Sequence, residues 1–309
     1  MRHIFILNPM AGDGTKIAAL RKKVDLLPNA EIYETREPHD ATAYVSSICE
    51  ETQEKLRFYA CGGDGTVKEV AEGMIGHANA SMSVYPIGSG NDLVKYFGTA
   101  EDFLDIDALM AAESIEMDVI HVTTAEGADT YSVNVCNFGF EAYVAETMGR
   151  VRRTPMLGGK NAYTTGILAG LFGGMKTQGN IYADGVLLNK KNVFMLGTAA
   201  NGGYVGGGYR CAPRASVTDG ALEVCIVKPL SVPTLARLIG VYREGKHLED
   251  PRFAKYLTYT RAKKVEVEGE KPFAICLDGE IIRTRHFTAE IETGMLRFAA
   301  PAVSVPATV

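Results

Sequence analysis

The chain has 309 residues, of which 46% are hydrophobic and 22% are charged, and its formal net charge is −5. This length suggests two domains, because a single hydrophobic core rarely grows beyond about 250–300 residues. The acidic balance disfavours nucleic acid as a partner, since it provides no overall basic field. The six cysteines form no C-x-x-C pair, so we interpret them as buried thiols of a reducing, cytoplasmic compartment.

The first third of the sequence alternates strand-like and helix-like segments. Short apolar runs, beginning with Ile4-Phe5-Ile6-Leu7, are followed by turn-forming residues and then by segments of helical character. Such alternation predicts a parallel sheet covered by helices on both faces, with ligands bound beyond the carboxyl ends of the strands. The predicted strands are residues 4–7, 31–35, 57–61 and 81–86, and the predicted helices are residues 15–27, 40–54, 66–75, 102–112 and one that begins at Asn91.

Beyond about residue 116 the sequence is mostly strand-like. Several segments alternate apolar and polar residues with period two, as in Val265-Glu266-Val267-Glu268, and hairpin-like turns such as Ala183-Asp184-Gly185 separate them. This pattern predicts a mostly antiparallel β-domain with only two helices, residues 159–170 and a helix over 231–244 that Ser231 caps. The predicted strands are residues 117–123, 130–135, 193–198, 222–227, 264–267, 273–277 and 287–291.

Glycine-rich segments follow three of the strands predicted in the first third. Glycines let backbone N–H groups approach phosphate oxygens closely, and a helix that starts there adds a favourable field. A single Gly-Gly pair more often marks a tight turn, but three such loops at one sheet edge favour a phosphate site. Neither the G-x-x-x-x-G-K-[ST] nor the G-x-G-x-x-G signature occurs in the required context. The loops are Asn8-Pro9-Met10-Ala11-Gly12, Gly62-Gly63-Asp64-Gly65-Thr66 and Pro86-Ile87-Gly88-Ser89-Gly90-Asn91-Asp92.

The second of these loops, with Glu69-Val70 after it, resembles the nucleotide loop of the diacylglycerol kinase catalytic-domain family. Its Gly-Gly-Asp-Gly core is shared with NAD kinases and resembles that of phosphofructokinases, so it indicates only the superfamily. Further segments resemble the lipid kinases more specifically, and they follow one another in order over nearly the whole chain. These are Asn8-Pro9-x-Ala11-Gly12, Pro86-x-Gly88-x-Gly90-Asn91-Asp92-Leu93, Asn137-Phe138-Gly139-Phe140-Glu141-Ala142, Pro213-x-Ala215-x-x-x-Asp219-Gly220-x-Leu222 and Leu277-Asp278-Gly279-Glu280.

The resemblance implies an α/β N-terminal domain with a parallel sheet, of the NAD kinase and diacylglycerol kinase type, and a mostly antiparallel β-sandwich C-terminal domain. The first would span residues 1–115, with the tail 294–309 packed back on it, and would bind ATP. The second would span residues 116–293 and would bind the substrate. The residues implied around ATP are Asn8, Pro9, Met10, Ala11, Gly12, Thr35, Gly62, Gly63, Asp64, Gly65, Thr66, Val67, Lys68, Gly88, Ser89, Asn91 and Asp92.

Four carboxylates are candidates for the chemistry, three of them through the resemblance. Asp278 or Glu280 would take the proton from the acceptor hydroxyl, with Glu280 slightly favoured, although Asp278-Gly279 alone also predicts an ordinary hairpin turn. A structural Mg²⁺ would be held by Asp219 together with the backbone carbonyls of Ser216 and Ala221. Asp64, beside the phosphates, further suggests Mg²⁺ or a water network, because a carboxylate repels a phosphate directly.

The implied function is an ATP-dependent lipid kinase of phospholipid metabolism, which transfers the γ-phosphate to a hydroxyl such as that of diacylglycerol in a cleft between the domains. The alternatives are an NAD kinase-like enzyme and a non-catalytic lipid- or nucleotide-binding regulator. The sequence does not select the acceptor lipid or the oligomeric state, and a homodimer is left open. Arg150, Arg152 and Arg153 suggest peripheral contact with the inner face of an anionic membrane. The six histidines show no metal-ligand spacing.

Overall fold

The computed structural model describes residues 1–12, 14–152 and 176–301, except for the side chains of residues 148–152. The chain forms two compact units, which divide within the strand that contains Val119 and Ile120. The first comprises Met1–Val119, Val217–Asp219 and the chain from Glu292, and the second comprises Ile120–Ser216 and Gly220–Ile291. The helix predicted over 159–170 lies outside the described residues.

The first unit is built on a parallel sheet with the order β4-β3-β1-β2. Every residue of β3 and β4 is buried, because helices cover the sheet as the uniformly apolar runs predict. The elements are β1 (Arg2–Leu7), α1 (Gly14–Val24), β2 (Ala30–Glu34), α2 (Asp40–Glu51), β3 (Leu56–Gly62), α3 (Asp64–Met74), β4 (Ala80–Pro86), α4 (Val94–Phe97), a 3₁₀ turn (Asp102–Leu104) and α5 (Ile106–Ala111).

Two predicted helices of the first unit differ from the structure for local reasons. The helix predicted over 102–112 is divided, because Asp105 leaves the helical conformation and its carboxylate accepts the Ala108 N–H as the N-cap of α5, at 3.1 Å. The helix predicted from Asn91 begins only at Val94, since Asn91 has a positive φ of 50°.

The second unit is an antiparallel β-sandwich with the strand order β13-β12-β11-β7-β14-β15 and with β8 to β10 beside it. Both β8 and β7 pair with β14, at residues 265–269 and 275–277 respectively, so β14 joins both layers across the irregularity between Glu268 and Phe273. The elements after β5 (Ser114–Thr124) are β6 (Asp129–Ser132), β7 (Val135–Gly139), α6 (Phe140–Arg152), β8 (Thr177–Ala183), β9 (Val186–Leu187), β10 (Val193–Phe194), β11 (Leu196–Ala200), β12 (Leu222–Val227), α7 (Val232–Arg243), β13 (Leu257–Ala262), β14 (Lys264–Leu277) and β15 (Glu280–Ala299).

The predicted fold class is confirmed, but several elements of the second unit were predicted wrongly. Helix α6 was not predicted, and the segments 264–267 and 273–277 are parts of one strand. The helix predicted over 231–244 is confirmed as α7, and the Ser231 hydroxyl accepts the Thr234 N–H at 3.4 Å. All six cysteines are buried, as predicted. Among the described residues, no helix combines the length and apolar content that crossing a bilayer requires.

Candidate functional site

Three loops at the carboxyl edge of the parallel sheet are joined by backbone hydrogen bonds. The Asn8 N–H donates to the Cys61 carbonyl at 3.0 Å, which ties the loop after β1 to β3. The N–H groups of Ile87 and Gly88 donate to the Gly62 carbonyl at 3.1 and 2.9 Å, which ties the loop after β4 to the loop after β3. The glycine-rich segments identified in the sequence therefore form one surface.

The close approach of these loops requires glycine at particular positions. A Cβ on Gly62 would lie 2.1 Å from Thr66 Oγ1, and a Cβ on Gly88 would lie 2.4 Å from the Gly63 Cα. Since real Cβ atoms do not approach other atoms so closely, any side chain here would displace backbone. The tight turns and the close contact between the loops thus depend on the same glycines.

Asp64 binds the third loop instead of projecting freely toward a ligand. Its Oδ1 accepts the Asp92 N–H at 2.6 Å, and a Cβ on Gly90 would lie 2.2 Å from its Oδ2. The ammonium of Lys95 donates to the Gly90 carbonyl and to Asp92 Oδ1, both at 2.6 Å. This network holds the loop of residues 88–92 in place, a role for Asp64 that the sequence pattern did not indicate.

Helix α3 begins at the second loop, so its first N–H groups point out of the edge where the three loops meet. Thr66 lies there and accepts the Asn8 amide N–H at 3.4 Å. Thr35 lies beside the first loop, where its N–H donates to the Leu7 carbonyl at 2.9 Å. The side chains of Val67 and Lys68, by contrast, are buried in the unit, and the Lys68 ammonium lies 2.9 Å from Glu72 Oε1.

The turn between β14 and β15 contains a buried carboxylate with three backbone donors. Asp278 adopts a φ of 50° and Gly279 a φ of 96°, the conformation of the predicted hairpin turn. The Asp278 carboxylate, 8% exposed, accepts the N–H groups of Val133, Asn134 and Val135 at 2.7, 3.2 and 3.0 Å. These bonds explain why the strand predicted over 130–135 is interrupted between β6 and β7.

Glu280 differs from Asp278 in its surroundings although the two are only two residues apart. It is the first residue of β15, where it pairs in register with Leu277, and its side chain is only partly buried. Asp278 fixes the backbone of residues 133–135, whereas the Glu280 carboxylate stands at the end of the strand. The geometry therefore separates a buried carboxylate that binds backbone N–H groups from a partly exposed one at the end of the strand.

The glycine-rich loop of residues 202–208 is attached to the segment that Asp278 binds. The N–H groups of Asn201 and Gly202 donate to the Asn134 carbonyl at 2.9 and 2.8 Å, and the Asn134 amide donates to the Tyr204 carbonyl at 2.8 Å. Sequence reasoning gave this loop no individual roles. Its only sequence signal was the glycine density, which does not reveal that Asn134 is its anchor.

The residues implied for Mg²⁺ lie in the connection between β11 and β12. Gly220 has a φ of 68°, which fits the predicted Asp219-Gly220 turn, and the Asp219 side chain is exposed. Arg214, earlier in this connection, donates its backbone N–H to the carboxylate of Glu223 in β12 at 3.1 Å. The Glu223 carboxylate is buried, and burial raises its pKa. A carboxylate at an exposed turn is an oxygen donor of the kind that suits Mg²⁺.

The second unit also contains an apolar pocket between α7 and the sheet. It encloses about 430 Å³ of empty space, including the part open to solvent at its mouth. The cavity proper measures only about 40 Å³, far below the range of about 300–1,000 Å³ that is usual for small-molecule sites. The pocket is lined by Phe140, Glu141, Met195, Leu196, Tyr209, Val227, Leu230, Leu235, Ile239, Tyr242 and Phe253.

Comparison with known proteins identifies both units. Residues 2–122 match the family described as the diacylglycerol kinase catalytic domain, and residues 134–300 match the YegS C-terminal NAD kinase beta sandwich-like domain. A crystal structure of a diacylglycerol kinase from Bacillus anthracis str. Sterne shares the fold, with a TM-score of 0.69 and 20% identity over 98% of both chains. The two units thus define a protein of the kinase class.

Two curated relatives narrow this class. A protein of Xanthomonas oryzae pv. oryzae, named "Probable lipid kinase YegS-like", is 30% identical over 306 residues, which is 94% of each chain. The Diacylglycerol kinase of Bacillus subtilis is 28% identical over 225 residues, 72% of this chain and 70% of its own. The chain belongs to the diacylglycerol kinase catalytic-domain family, with the YegS-type C-terminal domain, and the predicted family is confirmed.

Proposed function

We propose that the protein is an ATP-dependent lipid kinase that transfers the γ-phosphate of ATP to a lipid hydroxyl such as that of diacylglycerol. The observation that carries the proposal is the joining of three glycine loops at one edge of the first unit, in a member of this kinase family. The surface offers backbone N–H groups and a helix N-terminus to phosphate, as phosphoryl transfer by positioning requires.

We propose that ATP is bound by the residues implied from the sequence, some through their backbone and others by holding a loop in position. The backbone of residues 8–12, 62–66 and 88–92 would face the phosphates, while Asp64 and Lys95 would hold the third loop in position. Val67 and Lys68 would contribute through backbone and packing, because their side chains are buried. Asp219 and the carbonyls of Ser216 and Ala221 would hold a structural Mg²⁺, whose charge would stabilise the connection between β11 and β12.

Glu280 is the residue that we propose as the proton acceptor. An alcohol attacks phosphorus efficiently only when a base within hydrogen-bond reach takes its proton in the transition state. The Asp278 carboxylate is already an acceptor for three backbone N–H groups, so accepting a further proton would weaken those bonds. Asp278 would instead hold the segment of residues 133–135 in place.

We propose that an acyl chain of the acceptor enters at the apolar pocket of the second unit, whose cavity of about 40 Å³ must widen to admit it. Apart from Glu141, its walls are aliphatic and aromatic, which favours a hydrocarbon chain over a polar nucleotide. His247, beneath Tyr242 and Phe253, is 1% exposed, and burial lowers its pKa to about 4, so this ring is neutral near pH 7. This neutral ring supplies no positive charge for the phosphate of NAD.

A radiolabelled ATP assay separates the three functions that the sequence left open. With ATP, Mg²⁺ and diacylglycerol in mixed micelles, we expect label in the lipid, and with NAD in a parallel tube we expect none. Label in NAD alone would show that the protein is an NAD kinase and not a lipid kinase. ATP binding without label in either acceptor, or in other long-chain alcohols, would indicate a non-catalytic regulator.

Peripheral membrane contact is proposed at a basic rim near the mouth of the pocket. The side chains of Arg150 and Arg152 and all of Arg153 lie outside the description, so the contact predicted there stays a prediction. Residues 203–264 contain eleven Lys or Arg and five Asp or Glu, a net charge of +6 in a chain of net charge −5. Exposed cations flank pocket residues in sequence: Arg210 follows Tyr209, Lys228 follows Val227, and Arg243 follows Tyr242.

Cations paired with tyrosine rings suit the interfacial region of an anionic bilayer. Arg243 lies over the Tyr209 ring at 5.8 Å and Arg210 over the Tyr204 ring at 6.0 Å. The double variant Arg210→Gln/Arg243→Gln should bind phosphatidylserine-containing vesicles roughly 30-fold more weakly in co-sedimentation, from about 1 kcal/mol per cation. Lys190→Gln/Lys191→Gln is the matched control with the same charge loss. An equal loss in both variants would contradict a specific rim.

A further inference from the structure

Three metal-ligating side chains meet on the hairpin of β14 and β15, outside the regions proposed for phosphoryl transfer. They are Glu266, Glu268 and His286, and one ligand atom from each lies within 4.8 Å of the other two. Glu268 and His286 are directly opposite each other in the strand register, and Glu266 stands two residues before Glu268 on the same face. His286 Nε2 already lies 3.0 Å from Glu266 Oε1.

The strand alternation directs all three side chains away from the core. Val265, Val267 and Phe287 are buried in the apolar core of the sandwich, so their neighbours in sequence project from the opposite face. Glu266 and His286 are partly exposed, at 39% and 38% of the side chain, and Glu268 is exposed. A metal ion from solvent can therefore reach the cluster without any change of fold.

The charge of this cluster is not balanced by a basic side chain. In the described ranges, neither Glu266 nor Glu268 forms an ion pair with Lys or Arg, and Glu268 has no hydrogen-bond partner for its carboxylate. Other glutamates on the surface of the same unit are paired, as Glu146 is with Arg283 at 2.8 Å. Two adjacent carboxylates with only an imidazole between them favour a cation.

The strand that holds both glutamates is fixed on its two sides. Residues 265–269 of β14 pair with β8, and the same stretch pairs with β15 on its other edge. Because the backbone positions are set by two ladders, only side-chain rotamers need to adjust when a metal binds. Such preorganisation is what a metal site on a sheet surface requires.

We propose that Glu266, Glu268 and His286 form a site for a divalent transition-metal ion, with Zn²⁺ as the representative. One imidazole nitrogen and two carboxylate oxygens are ligands typical of Zn²⁺ and Co²⁺, whereas imidazole disfavours Mg²⁺ and Ca²⁺. Water would complete the coordination. The bound ion would cross-link β14 to β15, the hairpin whose turn is Asp278-Gly279. The proposal does not depend on the lipid kinase activity.

Calorimetric titration of the full chain with ZnCl₂ tests the site. Wild type should show one saturable Zn²⁺ site that His286→Ala and the isosteric Glu268→Gln each weaken at least tenfold. His121→Ala is the matched control, because His121 Nε2 lies 2.6 Å from Asp129 Oδ1 on the same unit, and this pair belongs to no three-ligand group within the part of the chain that the structure describes. Its isotherm should equal that of wild type.

Two outcomes would overturn the proposal. One is an isotherm for Glu268→Gln/His286→Ala that matches wild type, since Zn²⁺ would then bind elsewhere. The other is loss of Zn²⁺ binding in His121→Ala, which would show that the ion binds at the hairpin of β5 and β6 instead. Circular dichroism of each variant excludes unfolding as the cause, and Co²⁺ absorption in the visible region provides a second readout of the same ligands.

Discussion

Glu280→Gln is expected to reduce lipid phosphorylation by about 10²- to 10⁴-fold, the usual contribution of a general base, while the affinity for ATP stays nearly unchanged. The substitution keeps the size of the side chain and removes only its ability to take a proton. Steady-state assays with diacylglycerol measure the rate, and equilibrium binding of a fluorescent ATP analogue measures the affinity. We expect the loss in kcat and not in the KM for ATP.

Asp278→Asn distinguishes the two carboxylates of the turn. This variant should lower both activity and stability. The Asp278 carboxylate accepts three backbone N–H groups, and the amide that replaces it would place a buried NH₂ donor against backbone donors. A loss of about 1–3 kcal/mol in the free energy of unfolding is expected. If Asp278→Asn abolishes turnover at unchanged stability and Glu280→Gln remains active, the roles are reversed.

Gly62→Ala is expected to lower ATP affinity by roughly 100-fold or more, since displacements of about 1 Å in a positioning site have effects of that size. The added Cβ would lie 2.1 Å from Thr66 Oγ1 and 2.5 Å from Thr66 Cβ, so β3 and the start of α3 must separate. The Gly62 carbonyl also accepts the N–H groups of Ile87 and Gly88. The disturbance therefore spreads to the loop after β4.

Gly14→Ala is the matched control for this variant. Gly14 begins α1, and a Cβ there meets no atom within 4 Å, so the same methyl group should leave ATP affinity unchanged. Binding is measured by fluorescence titration with ATP, and thermal unfolding shows whether each protein remains folded. Wild-type ATP affinity in Gly62→Ala would show that this loop does not bind the phosphates.

The alternating sheet was readable from the sequence because each element of the first unit has its own local signal. Buried strands such as β3 are uniformly apolar, and the glycine loops stand between strand and helix signals. The second unit was harder to predict. Helix α6 begins at Phe140 directly after Gly139, which has a φ of 80°, and a single glycine after an apolar strand indicates a turn as readily as the start of a helix.

The sequence indicated candidate residues for the site but not the contacts that each of them makes. Asp278 and Val133 are separated by 145 positions, so no local pattern indicates that one carboxylate holds the segment that follows β6. The same holds for His286 and Glu266, which are brought together by strand register and not by spacing. Side-chain partners across long sequence separations depend on tertiary structure, which a single sequence does not encode locally.

The bonds between Asp278 and residues 133–135 also affect the order in which the chain can fold. The loops of the first unit use contacts within the first 92 residues, whereas the turn at Asp278 closes over a separation of 143–145 residues. Contacts between residues so far apart in sequence form late, because the chain loses the conformational entropy of the long loop before the hydrogen bonds at its ends stabilise it. On the ribosome, the three glycine-rich loops can assemble early, but the proposed base loop must await synthesis of nearly the whole chain.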